Sequence, residues 1–170
     1  NIFKYPISIS WISIKNIQFT GTGTQVSSAA ALLNAIGCSY IPASGTGIFF
    51  ASTLSASIPV GTVYQISGCV QIGGGYSVVA LQPGTYVATS SNYFNATRGC
   101  HISAGNLLQS SFDIFDGTLS TYYCFDVGTR TAGSTPVGGG FGTLTTLNTK
   151  CINSVTGAVR ADGRSSLYLA

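Results

Sequence analysis

The sequence predicts an all-β protein of the β-sandwich or jelly-roll class, with a long N-terminal strand and one short helix; a parallel β-helix is the alternative architecture. Three observations carry the prediction: strict alternation in the first residues, short apolar runs punctuated by Gly, Ser, Thr and Pro, and a charged content of 6%. Phe3, Tyr5, Ile7, Ile9 and Trp11 alternate with Lys4, Pro6, Ser8 and Ser10, the period of a strand with one buried face. The phase slips at Trp11-Ile12 and again beyond Lys15-Asn16, so two β pieces are expected, 3–11 and 12–19.

The leading segment is divided from the rest on this basis, with residues 1–11 as a strand extension and 12–170 as a single β-rich domain. Seventeen extended residues span about 56 Å, whereas a globule of this size is only about 40 Å across. Burying five large apolar side chains is favourable by about 1.5–3 kcal/mol each. The segment therefore needs a groove, either in its own sheet or in a neighbouring subunit.

Ser27 to Ile36 (SSAAALLNAI) has the composition of the one expected helix, with serine to cap it and Gly37 to end it. Strands are expected over 47–52, 60–72, 76–81, 85–89, 112–115, 121–127, 142–147 and 165–169. Within 60–72, Thr62, Tyr64, Ile66, Val70 and Ile72 would share a buried face, with Gln65, Ser67, Cys69 and Gln71 on the wet face of an antiparallel sheet. A weak repeat supports the alternative fold. IGCSYIPASG, SGCVQIGGG, RGCHISAG, YYCFDVG and TKCINSVTG each place an apolar residue and a glycine after a cysteine, as rungs of about 21 to 31 residues with a cysteine ladder would.

Charge narrows the functional classes. Glutamate is absent and no charged residue occurs between Asn16 and Thr97. Such a surface is solvated by hydroxyls, amides and backbone, or covered by glycans or other subunits, as in an extracellular structural protein. The cations are dispersed, with no basic run or basic-aromatic cluster, so nucleic acid is not an expected partner. No apolar run reaches the length of a membrane span. With Asn1 first and no methionine, the sequence reads as a mature chain that has lost its signal segment or as a fragment. Cys38, Cys69, Cys100, Cys124 and Cys151 contain no C-x-x-C pair, so disulfides are expected rather than a metal site or redox motif, with connectivity open. Asn95-Ala96-Thr97 is a glycosylation sequon, with Asn95 as acceptor.

Catalytic constellations fail on geometry. His101 adjoins Cys100, and neighbours on a strand point to opposite faces. Asp113 and Asp116 also face apart, and Asp116-Gly117 and Asp162-Gly163 read as turns. The glycines at 73–75 and 138–140 lack the following Lys-Ser/Thr of a phosphate loop. No enzyme, cofactor or metal is expected.

The amphipathic strand Phe3 to Trp11, ahead of a Gly/Ser/Thr-rich, charge-poor body, resembles subunits of donor-strand-assembled extracellular filaments such as chaperone-usher pilins. The resemblance implies a self-polymerising structural subunit of a filament or pilus at the cell surface. Its interface would be Phe3, Tyr5, Ile7, Ile9 and Trp11, and its partners further copies of itself and a glycan or cell-surface ligand. Two rival classes are a virion fibre, spike or capsid jelly roll and a secreted carbohydrate-binding or carbohydrate-cleaving module.

Overall fold

In a computed structural model of the chain, residues 11–27, 32–42, 47–52, 63–81, 84–102, 106–119, 123–128, 141–161 and 165–170 are described. They form successive three-strand coils, here called rungs. The first holds β1 (Trp11–Lys15), β2 (Gln18–Phe19) and β3 (Thr24–Ser27), and the second β4 (Leu32–Ile36), β5 (Ser39–Tyr40) and β6 (Ile48–Ser52). The third holds β7 (Val63–Ser67), β8 (Val70–Ile72) and β9 (Tyr76–Ala80), and the fourth β10 (Tyr86–Ser90), β11 (Tyr93–Asn95) and β12 (Arg98–Ile102). The fifth is β13 (Asn106–Ser111), β14 (Ile114–Asp116) and β15 (Phe125–Val127), and the sixth β16 (Gly142–Leu147), β17 (Lys150–Ile152) and β18 (Val159–Ala161). A seventh begins with β19 (Ser166–Leu169).

Corresponding strands stack into a 7-stranded first sheet, β1-β4-β7-β10-β13-β16-β19, and two 6-stranded sheets. The second sheet runs β2-β5-β8-β11-β14-β17 and the third β3-β6-β9-β12-β15-β18. Every ladder between described strands is parallel, from Trp11 opposite Leu32 to Thr146 opposite Leu169. This is a parallel β-helix, and it overturns the expected sandwich. A sandwich would need antiparallel neighbours and a core between two sheets; here the core lies inside the coil.

The expected helix is also corrected. Leu32–Ile36 is the strand β4, hydrogen-bonded between β1 and β7, with Leu33 and Ala35 buried. Stacking on both edges outweighs the helical preference of Ala and Leu. Residues 28–31 of that expectation lie outside the described set, as do 60–62, 121–122 and Asp162-Gly163.

The two faces assigned to 60–72 hold only in part. Gly68 sits at φ 60°, and this left-handed residue reverses the alternation. Tyr64 and Ile66 point inward before it, whereas Cys69 and Gln71 point inward after it, leaving Val70 and Ile72 exposed. The same corner recurs in each rung at Asn16, Gly37, Gly68, Ser91, Phe112 and Asn148, all with φ between 50 and 61°. At these positions the backbone N–H donates to the next rung, as from Gly37 to Ser67 O at 3.0 Å and from Phe112 to Leu147 O at 2.8 Å.

Aromatic side chains fill the interior. Phe49 packs against Phe50 (4.1 Å between ring centres), Tyr40 (5.4 Å) and Phe19 (6.0 Å). Lower down, Phe115 lies 5.1 Å from Phe94 and 4.5 Å from Phe125. Gly99 is required by the close passage of rung five, since a Cβ there would fall 1.9 Å from the Cys124 carbonyl oxygen.

Candidate functional site

The residue after each left-handed corner points into the helix, so Cys38, Cys69, Asn92, Asp113 and Thr149 form one internal column. Its lower half is a hydrogen-bonded ladder. Asp113, fully buried, accepts from Thr89 Oγ1 (2.5 Å), Ser110 Oγ (2.6 Å), and Asn92 through its backbone N–H (2.8 Å) and Nδ2 (2.9 Å). Asn92 Nδ2 also donates to Ile66 O (3.0 Å), while its Oδ1 accepts from the Cys69 N–H (2.8 Å). Ser110 and Thr149 hydroxyls meet at 2.9 Å. Asp113 is thus enclosed structure and accessible to no substrate.

On the outer side of the third sheet a second column brings together His101, Asp126 and Arg160, which are register partners on β12, β15 and β18. Arg160 donates to both Asp126 oxygens, at 3.0 and 3.1 Å, and His101 Nδ1 lies 3.4 Å from Asp126 Oδ2. Burial pushes the Asp126 carboxyl up, but His101 and Arg160 outweigh it and hold the group below its usual range. In the sequence these charges are dispersed; only the register of the coil joins them. Cys100, one residue from His101, points inward, so the two side chains do not meet.

Asp116 caps the short turn Gly117–Leu119, accepting from Thr118 N–H (2.9 Å), Tyr93 O–H (2.7 Å) and Asn153 Nδ2 (3.0 Å). The Thr118 hydroxyl donates to it as well and, ahead of the other donors, holds its carboxyl well below the usual range.

Two surface features have the dimensions of sites. The outer face of the first sheet carries a groove of about 520 Å³. Ala88 forms its floor, with Gln65 and Gln109 in register on either side. Tyr86 forms one wall, its hydroxyl donating to Gln109 Oε1 at 2.6 Å, and Ser67, Ser90 and Ser111 form the other. The lining is wholly uncharged. The second feature is the open C-terminal end, where β17, β18 and β19 each have one strand neighbour among the described residues. A recess of about 400 Å³ there is lined by Phe125, Cys151, Ala158, Val159 and Leu169, and Leu167, Tyr168 and Leu169 are exposed beside it.

Of the residues singled out in the sequence, Trp11 lies on β1 with 74% of its surface exposed in the isolated chain. Phe3, Tyr5, Ile7 and Ile9 lie outside the described residues. Asn95 is half-buried at the end of β11, opposite Ile72. Of the five cysteines, Cys38, Cys69, Cys100 and Cys124 are buried and Cys151 is half-buried; Cys38 lies beside Cys69 on the neighbouring rung. Among the described residues no three His, Cys, Asp or Glu side chains gather as a metal site, and no helix is long and apolar enough to cross a membrane. Comparison with protein-family models, characterised proteins and solved structures finds no match to this chain.

Proposed function

We propose that this chain is a non-enzymatic structural subunit of an extracellular filament, assembled end to end, with a role in surface attachment. The observation that carries the reading is the rung of β17, β18 and β19, each of which has one strand neighbour among the described residues, with an apolar recess beside them. An unpaired edge beside exposed apolar side chains is a template for another strand. Chain order within a rung runs from the first sheet to the second to the third and back. A copy stacked with its β1 on β19 would therefore bring its own preceding residues, 1–10, against β18. The alternation of Phe3, Tyr5, Ile7 and Ile9 suits that role, since one face would close the recess while Lys4, Ser8 and Ser10 remain outside. The donated strand extends a coil, in place of filling a groove in a sandwich.

Electron microscopy of the purified chain tests the proposal. Full-length protein should form filaments, deletion of residues 1–11 should abolish them, and the peptide 1–11 added in trans should cap the truncated body as a monomer. Full-length protein that stays monomeric at high concentration overturns the reading, and closed particles or trimers would favour a virion component.

The uncharged groove on the first sheet favours a second reading, a secreted module that binds neutral polysaccharide. Amide and hydroxyl groups beside a tyrosine ring suit a ligand that offers hydroxyls and no charge. Retention of monomeric protein on a polysaccharide column, lost in Gln109→Ala and Tyr86→Ala, would support it.

A further inference from the structure

Parallel stacking converts sequence spacing into adjacency. Ser39 pairs with Val70 across β5 and β8, and the Val70 N–H donates to Cys38 O at 2.9 Å, so Cys38 and Cys69 are direct neighbours on successive rungs. Both point inward and both are buried, at 1% and 0% exposure. Neighbouring strands lie about 4.8 Å apart, inside the Cα separation of about 4.4–6.8 Å that a disulfide spans. Each thiol donates to its own strand's backbone, Cys38 Sγ to Ile36 O at 3.6 Å and Cys69 Sγ to Ser67 O at 3.5 Å, and the two thiols interact across the rungs. A second thiol pair lies towards the other end, on successive rungs but on different sheets. Cys124 sits at the entry to β15 in rung five, Cys151 lies on β17 in rung six, and the two thiols interact.

Cys100 differs from these four. It pairs in register with Val78 and Phe125, and its N–H donates to Cys124 O at 2.9 Å, which sets its side chain one residue out of step with that of Cys124. It is buried in the apolar interior, and burial pushes its thiol up.

We propose that Cys38–Cys69 and Cys124–Cys151 are two disulfide sites, each stapling one rung to the next near opposite ends of the helix, and that Cys100 remains a thiol. The oxidant is a low-molecular-weight disulfide such as oxidised glutathione. One thiol of each pair, as thiolate, attacks its S–S bond and releases one glutathione thiol. The second protein thiol then displaces the other glutathione, so each protein S–S bond formed consumes one glutathione disulfide and yields two glutathione thiols. The burial of Cys38 and Cys69 means that their exchange takes place before the rungs have closed. Protein folded first under reductant should therefore oxidise far more slowly than protein folded in the glutathione buffer.

The test is independent of filament formation. The 170-residue chain is folded in a glutathione redox buffer, alkylated in denaturant without reductant, digested and mapped by mass spectrometry. The expected result is one linked peptide containing Cys38 and Cys69, one containing Cys124 and Cys151, and alkylation of Cys100 alone. Five alkylated cysteines, any link to Cys100, or a link between the upper and lower pairs overturns the assignment. A Cys38→Ser chain should show alkylated Cys69 with the lower link intact; Cys69 joined to another cysteine counts against the pairing.

Discussion

The corner between the first and second sheets is built from thiols in rungs two and three, and from amide, carboxyl and hydroxyl groups in rungs four to six. Gly37-Cys38 and Gly68-Cys69 place small, weakly polar side chains inside the coil, whereas Ser91-Asn92, Phe112-Asp113 and Asn148-Thr149 place polar ones at the same positions. The backbone is nearly the same in both halves, with one left-handed residue and one hydrogen bond to the next rung. A rung position thus dictates backbone conformation and direction, while side-chain chemistry is free to differ provided each polar group finds a partner. In the lower half that proviso binds tightly, because Asn92, Asp113, Ser110 and Thr89 satisfy one another.

The largest expected effect breaks the lower half of that comparison. Asp113→Ala removes the acceptor shared by Thr89, Ser110 and Asn92 and leaves several buried donors unpaired, at about 1–3 kcal/mol for each unsatisfied group. A total loss of about 3–5 kcal/mol is expected, read in thermal unfolding as a fall of about 10 °C in Tm. Asp113→Asn, which keeps the shape and one acceptor oxygen, should lose less than half as much. Equal losses in the two variants would mean that the carboxyl's size, and not its hydrogen bonds, holds the corner.

A smaller effect sharpens the contrast between this ladder inside the coil and the one on the third sheet, where His101 and Asp126 are buried beside a part-exposed Arg160. Asp126 is held below its ordinary value in the folded chain, so its stabilising contribution is fully present above the unfolded value of about 4. It is lost as pH falls through the lower, folded value. Arg160→Met removes two donors to Asp126 and should cost about 1–2 kcal/mol at neutral pH. With the folded value raised, acid destabilisation should also begin at higher pH, as urea unfolding between pH 3 and 7 would measure. An unchanged acid limb would show that Arg160 does not set the Asp126 carboxyl.

Much of the strand content is legible in the sequence, since runs such as Gly142–Leu147 are rich in β-favouring Thr between turn residues and the structure gives the same strand. The coil was hidden by two local facts. Leu32–Ile36 lacks the β-branched residues that mark a strand, apart from its last, and becomes one because β1 and β7 pair with it from both sides. Over 60–72 a period of two runs straight through Gly68 and puts Cys69 and Gln71 on the wet face, whereas the left-handed turn at Gly68 exchanges inside and outside. The cysteine repeat pointed to the right architecture but only partly to the right register, for Cys38 and Cys69 share a column while Cys100, Cys124 and Cys151 do not. Of the sites, the turn at Asp116-Gly117 was readable from its own residues. The columns of Asp113 and Asp126 were not, because each draws its partners from other rungs.

The smallest effect tests the claim that the corner fixes backbone before side chain. Phe112 adopts φ 56° at a position where rungs two and three use glycine, and its side chain is 56% exposed. A left-handed conformation costs an L-residue about 1–2 kcal/mol, while glycine in its place loses about 0.5–1 kcal/mol more backbone entropy on folding. Little burial is forfeited, and the Phe112 N–H still reaches Leu147 O at 2.8 Å. Phe112→Gly should therefore stabilise the chain by about 0.5 kcal/mol, a Tm rise of about 1–2 °C. The reverse change has clear ground for it at Gly68, where an added Cβ would come no nearer than 4.0 Å to the Gly37 nitrogen. Gly68→Ala should destabilise by about 1 kcal/mol through conformation alone. Opposite signs in the two variants, measured by urea unfolding, are what a conserved corner conformation requires across chemically different rungs. If Phe112→Gly proves destabilising instead, the ring contributes contacts that outweigh its backbone cost, and the lower corner is held by its side chains more than by its turn.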